Sequence, residues 1–179
     1  MSDLISKLKS DIRDLKLSII LETNINFVPN LHKLRKGNNR LFNQKYWPIL
    51  KEWKGKSIIT GSAALYAFGL CERLPQDIDL IVDKNNFNPG RKLSNNRYPG
   101  MDGKMDVIGY YADRRRGYNV DFFHSNNVNF IEIDGFLFHH PFEIMEKKLE
   151  IYPYRERNNS KDIHDLIYIF KKIYPDYKF

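Results

Sequence analysis

The stretch SIITGSAALYAFGLCERLPQDIDLIVD, residues 57–83, decides the fold. An apolar strand, residues 58–60, runs into Gly61, and the residues after Ser62 read as a helix. A Gly-Ser pair at such a break has an ordinary geometric use. It also lets another backbone or a ligand come close, while the helix start presents free N–H groups and the positive end of a dipole to a phosphate. The next strand, DIDLIV, alternates. The strand period of two puts Asp77 and Asp79 on one face, with Ile78, Leu80 and Val82 together on the other. A strand, a tight turn, a helix and a second strand within so few residues predict an α/β chain.

Working outward, short strands are expected at 105–111, 118–123 and 128–133, with a sixth at 136–139 and a hairpin turn at 113–117. A long Asn-, Gly- and Pro-rich loop, 84–104, lies among them; loops of this length inside a domain tend to be functional. Before the strands, Leu4, Ile5, Leu8, Ile12, Leu15 and Ile19 recur at helical steps, so Ser2 or Asp3 caps a helix to about Glu22. A polar, basic segment, HKLRKGNNR (32–40), then leads to a second helix whose Tyr46, Trp47, Leu50 and Trp53 suit a packed face. Pro141 is placed as a first helical residue before FEIMEKKLEIY, and Ser160 caps a last helix with an apolar stripe of Ile163, Leu166, Ile167, Phe170 and Ile173. The expected architecture is a mixed, mainly antiparallel sheet flanked by helices. It divides into a helical N-terminal extension (1–55), a core (56–140) and C-terminal helices packing on it (141–179), one compact domain overall.

With 179 residues and 14% aromatics, the chain has the material for one folded core. A formal charge of +7 favours a polyanionic partner such as RNA or nucleotide phosphate, although a solvated lysine-rich surface has the same composition. One cysteine, Cys71, excludes an intrachain disulfide and fits a reducing compartment. The longest apolar run near the N-terminus is too short for a signal core or membrane span, so a cytoplasmic location without membrane attachment is expected. His139 and His140 lack the further spaced ligands of a zinc site.

Asp77 and Asp79 on one face would repel each other unless a divalent cation lay between them. Mg²⁺ is bound in this way, by one or two carboxylates completed by substrate phosphates and water. A further carboxylate would complete a two-metal site. Asp121, in YNVDFFH, sits mid-strand between apolar neighbours, where aspartate is disfavoured without a reason. Asp106, near the start of KMDVIGYY, is the alternative.

In GSAALYAFGLCERLPQDIDLIV followed by VDFF, the chain resembles the nucleotidyltransferases of the DNA polymerase beta superfamily. Their signature is a Gly-Gly or Gly-Ser pair, an Asp-x-Asp strand and one more Asp on a neighbouring strand. The resemblance implies a nucleotidyltransferase-like fold and transfer of a nucleoside monophosphate from an NTP such as ATP to an acceptor hydroxyl, with two Mg²⁺ ions, or Mn²⁺ in their place. It implies that Gly61 and Ser62 hold the triphosphate, that Asp77, Asp79 and Asp121 bind the metals, and that Asp121 helps deprotonate the acceptor. The tail, HPFEIMEKKLEIYPYRERNNSKDIHDLIYIF, is similar to that of the AbiEii-type toxin nucleotidyltransferases. On that likeness Arg73, Lys148 and Arg155 or Arg157 face the triphosphate, and Lys161 with Asp162 buttresses the site. Pro75 stands where relatives carry serine, a departure from their pattern.

Arg91, Lys92, Arg97, the arginines of DRRRG (113–117) and segment 32–40 together offer a basic rim for an RNA acceptor such as a tRNA end. A small-molecule acceptor, as in antibiotic-modifying relatives, is the rival among enzymes. A catalytically silent nucleotide- or RNA-binding protein is the rival outside them. An antitoxin or a second copy of the chain as partner is left open.

Overall fold

The computed structural model describes residues 27–36, 40–83, 85, 106–113, 118–125, 127–151 and 160–173, together with positions 6, 7, 10, 11 and 14. Those five positions are helical, with side chains largely in solvent, and lie where the first helix was expected. The described strands form one mixed sheet with helices packed against it, the α/β class read from the sequence.

The elements run in chain order as α1 (Leu31–Lys36), α2 (Arg40–Glu52), β1 (Ser57–Thr60), α3 (Gly61–Phe68), β2 (Ile78–Val82), β3 (Asp106–Asp113), β4 (Tyr118–His124), β5 (Phe130–Ile133), β6 (Phe136–His139), α4 (Pro141–Ile151) and α5 (Ser160–Ile173). The sheet order is β3-β4-β2-β1-β6-β5. The pairs β3–β4, β1–β2 and β5–β6 are antiparallel, whereas β2–β4 and β1–β6 are parallel. The β5–β6 hairpin closes through Asp134 and Gly135, both left-handed, which is the twist a two-residue turn needs between right-twisted strands.

Alternation sorts the sheet into two unlike faces. On one, Ile59, Ile78, Leu80, Val120, Phe122 and Phe138 meet the helices in the main core, joined by Ala63, Ala64 and Leu65 of α3, Met145 of α4 and Phe170 of α5. Tyr46, Ile49 and Leu50 of α2 enter that core at helical steps, while Trp47 stacks on Phe136 and Trp53 tilts against Phe122. Tyr46 is therefore core, and Trp47 and Trp53 pack against it, as their spacing predicted.

Within the helical extension expected over 1–55, residues 31–36 of the basic segment form a helix, whose Leu34 is fully buried and draws one face of it inward. One local expectation is corrected. In α5 the buried stripe is Asp162, Asp165, Leu166, Ile169 and Phe170, while Ile163 and Ile167 are only half-buried. Partners for the two carboxylates rotate the helix away from the purely apolar stripe. The arginines at 91, 97, 114–116, 155 and 157, and most of the loop 84–104, lie outside the described residues.

Candidate functional site

The second face of the sheet carries a polar row. Thr60 at the end of β1 is the cross-strand partner of Asp79 in β2, and Asp79 lies beside Asp121 in β4. Residues in register on adjacent strands point to the same side. Thr60, Asp79 and Asp121 therefore line up across three strands, with Ile58, Ile81 and Phe123 one step behind them as a small apolar cluster.

Adjacent strands lie about 5 Å apart, which sets two carboxylates side by side. For full charges at that spacing and an effective dielectric near 20, the repulsion is about 3 kcal/mol. One oxygen of Asp121, Oδ1, is buried and receives no hydrogen bond, although the residue as a whole is not isolated.

Gly61 is required twice over. Its φ of 62° is left-handed, and a Cβ built on it would lie 2.0 Å from Oδ2 of Asp79. The Asp79 carboxylate thus rests directly against the first residue of α3. Thr60 holds the N-cap position of α3 with extended backbone but makes no side-chain capping bond, and Ser62 is buried in the first turn. The N–H groups that open the helix are consequently left to other partners.

Asp77 stands at the bend just before β2, one residue outside the paired register. Among the described residues no three His, Cys, Asp or Glu side chains converge into a group that would hold a metal ion by themselves. The fold brings Asp79 and Asp121 together and does not close Asp77 over them. Asp106 pairs with His124, three positions along β4 from Asp121, so it is Asp121 that neighbours Asp79.

The residues leading to Asp77 are braced from three sides. Tyr46 Oη donates to the Gln76 carbonyl at 2.7 Å, and Lys161 Nζ donates to Gln76 Oε1 at 2.9 Å. Arg73 makes a two-pronged ion pair with Asp165, Nε to Oδ1 at 2.9 Å and Nη2 to Oδ2 at 2.8 Å. Lys148 Nζ joins the cluster at 2.6 Å from Asp162 and 3.0 Å from Asp165. Burial opposes the charge on Asp165, but the hydrogen bond from Arg73 and the nearby cations outweigh it and hold its carboxyl below the usual range. Burial also works against the Arg73 guanidinium, and Asp165 more than restores it.

Burial first, and then the charge of Asp165, push the Cys71 thiol up to about 12. Its sulfur lies 3.4 Å from Asp165 Oδ1 and remains a protonated, buried thiol.

No family model, curated protein or solved structure matches this chain.

Of the residues singled out in the sequence, Gly61, Asp79 and Asp121 lie together; Asp165, which sits in DIHDLIYIF among apolar neighbours, was not among them. The signal was there: Asp162 and Asp165 are three apart, hence on one helical face, and that face also carries Leu166 and Ile169. A second polar chain was missed as well. Thr60 Oγ1 lies 2.7 Å from His139 Nδ1, and His139 Nε2 lies 2.9 Å from Glu143 Oε2. Among the described residues no helix is long and apolar enough to cross a membrane.

Proposed function

We propose that the chain is a nucleotidyltransferase that moves a nucleoside monophosphate from an NTP to an acceptor hydroxyl, most favourably that of an RNA. The observation that carries this reading is the side-by-side register of Asp79 and Asp121, with Asp79 seated against the glycine that opens α3. Mg²⁺ suits such a pair, because it commonly takes one or two protein carboxylates and fills the remaining positions with water and phosphate oxygens.

In this reading Asp79 and Asp121 hold the cation, and Asp77, at the entrance to β2, contributes once the nucleotide is in place. When bound, the metal would offset charge on the phosphates and lower the pKa of the attacking hydroxyl. Asp121 accepts the proton of the acceptor. Gly61 and Ser62 offer backbone N–H groups to the triphosphate at a helix start whose N-cap side chain makes no bond to them. Lys161, tied to Gln76 beside Asp77, supplies a cation near the entrance. Arg73 and Lys148, expected to face the triphosphate, are each engaged with Asp165, and their first task is to fix the loop that carries Asp77.

The test is incubation of the protein with each α-³²P-labelled NTP, Mg²⁺ and total cellular RNA, beside an Asp79→Asn variant. Label entering RNA with the wild-type chain alone supports transfer and names the nucleotide. Label entering a small molecule moves the acceptor to that class. Nucleotide binding with no label transferred to RNA, protein or small molecule overturns the enzymatic reading.

A further inference from the structure

The hydrogen bonds at the end of the polar row have a direction that the participating groups dictate. Glu143 is an ionised carboxylate: burial opposes its charge, but hydrogen bonds from Asn129 and His139 outweigh this and hold its pKa below the usual value. It can therefore only accept. His139, almost wholly buried, must donate to it from Nε2–H.

An imidazole above its ordinary pKa of about 6.5 is neutral and carries one hydrogen. That hydrogen is on Nε2, which leaves Nδ1 an acceptor, and the Thr60 hydroxyl must donate to Nδ1 at 2.7 Å. The hydroxyl hydrogen of Thr60 is thus committed toward β6, away from Asp79.

What remains on Thr60 Oγ1 is acceptor capacity. A hydroxyl oxygen has two lone pairs, and this one makes no capping bond to α3; its hydrogen bond among the described residues is the one to His139. It is buried, and it stands in register with a carboxylate. An oxygen that can only accept, beside Asp79 and with Asp121 one strand further along the row, calls for a cation or its bound water. The described carboxylates do not make up a three-ligand group of their own, and Thr60 supplies the missing kind of atom, a hard neutral oxygen.

We propose that Thr60 Oγ1 is a further oxygen of the cation site formed by Asp79 and Asp121, and that His139 and Glu143 are positioning residues that fix its hydroxyl as an acceptor. The inference rests on the reading of that pair as a cation site, and it extends the site by one strand.

The test is titration of the purified chain with Mn²⁺ alone, free ion being followed by electron paramagnetic resonance, and with circular dichroism confirming that each variant is folded. Thr60→Ser keeps the oxygen and should bind as the wild type does. Thr60→Val removes it and should weaken binding about tenfold, the scale of a lost supporting group at a metal site. His139→Phe, which frees the hydroxyl hydrogen to turn toward the cation, should weaken binding by about tenfold. The same change added to Thr60→Val should do nothing more, because His139 acts through Thr60. If His139→Phe does not fold, Glu143→Leu takes its place with the same expected direction.

Wild-type affinity in Thr60→Val, while Asp79→Asn has lost Mn²⁺, overturns the role of Thr60 and leaves the carboxylate site standing. Additive losses in the double variant overturn the positioning role of His139. No Mn²⁺ binding by the wild-type chain removes the cation site, and this proposal with it.

Discussion

At the scale of single residues, the proposed site would trade stability for chemistry, and two substitutions separate the two. Asp121→Asn removes one of two neighbouring charges on adjacent strands and should stabilise the metal-free protein by about 1 kcal/mol, a shift of a few degrees in Tm. If the pair holds the proposed cation, the same change should cost nucleotidyl transfer about a hundredfold or more, about 3 kcal/mol at the transition state. Differential scanning calorimetry beside the labelling assay reads both, and a variant that loses activity together with stability would contradict the like-charge account. Gly61→Ala should behave otherwise. Its Cβ would collide with Asp79 Oδ2 in a backbone conformation costing a non-glycine residue about 1 to 2 kcal/mol, so transfer and Tm should fall together. These positions were legible in the sequence because a turn glycine and a period of two are local signals. The chain from Thr60 through His139 to Glu143 was not, since its first bond spans 79 positions and nothing at either end announces the other.

At the scale of elements, the braces between α5, α4 and the loop before β2 decide whether Asp77 is presented at all. Asp165 is 1% exposed and answers both Arg73 and Lys148. Removing one member of such a buried cluster strands the others, and Asp165→Asn should cost about 3 kcal/mol at pH 7. Because the folded carboxyl is held below its ordinary value, its contribution is fully present above about pH 4 and is lost as pH falls through the lower folded pKa. Urea unfolding at pH 7 and pH 3 should therefore show a wide gap between wild type and Asp165→Asn that narrows in acid. A gap independent of pH would mean that Asp165 acts through packing alone. Cys71, in the same cluster, should resist iodoacetamide at pH 8 in the folded protein and react on unfolding, since its thiolate is suppressed by burial and by Asp165. Periodicity found α5 and the buried Leu166 and Phe170, but it left Asp162 and Asp165 out of the inward face, because a hydrophobic count treats them as solvent residues. Only their partners, far away in sequence, turn that face inward.

At the scale of the whole molecule, the two faces of the sheet divide the work. One is filled by helices and carries the core; the other presents the polar row, with Ile58, Ile81 and Phe123 behind it. Strand order was beyond the sequence, because β2 and β1 each take a parallel neighbour from later in the chain, and that order is what sets Asp121 beside Asp79. The charge of +7 was legible at once, and it makes a prediction that distinguishes acceptors. Each phosphate neutralised on a single strand adds about −0.7 to the slope of log affinity against log salt. If RNA is the acceptor, kcat/KM for RNA should fall about tenfold or more between 50 and 200 mM NaCl, the behaviour expected when several phosphates are bound. Replacing Arg114, Arg115 and Arg116 with alanine should flatten that slope by up to about 2, three times the single-phosphate value, while binding of the NTP alone keeps its own shallower dependence. A small cationic acceptor reverses the expectation: its KM should be nearly indifferent to salt and to the three arginines. The slope, measured with wild type and the triple variant on one RNA, thus chooses between the two acceptor classes from the charge of the chain.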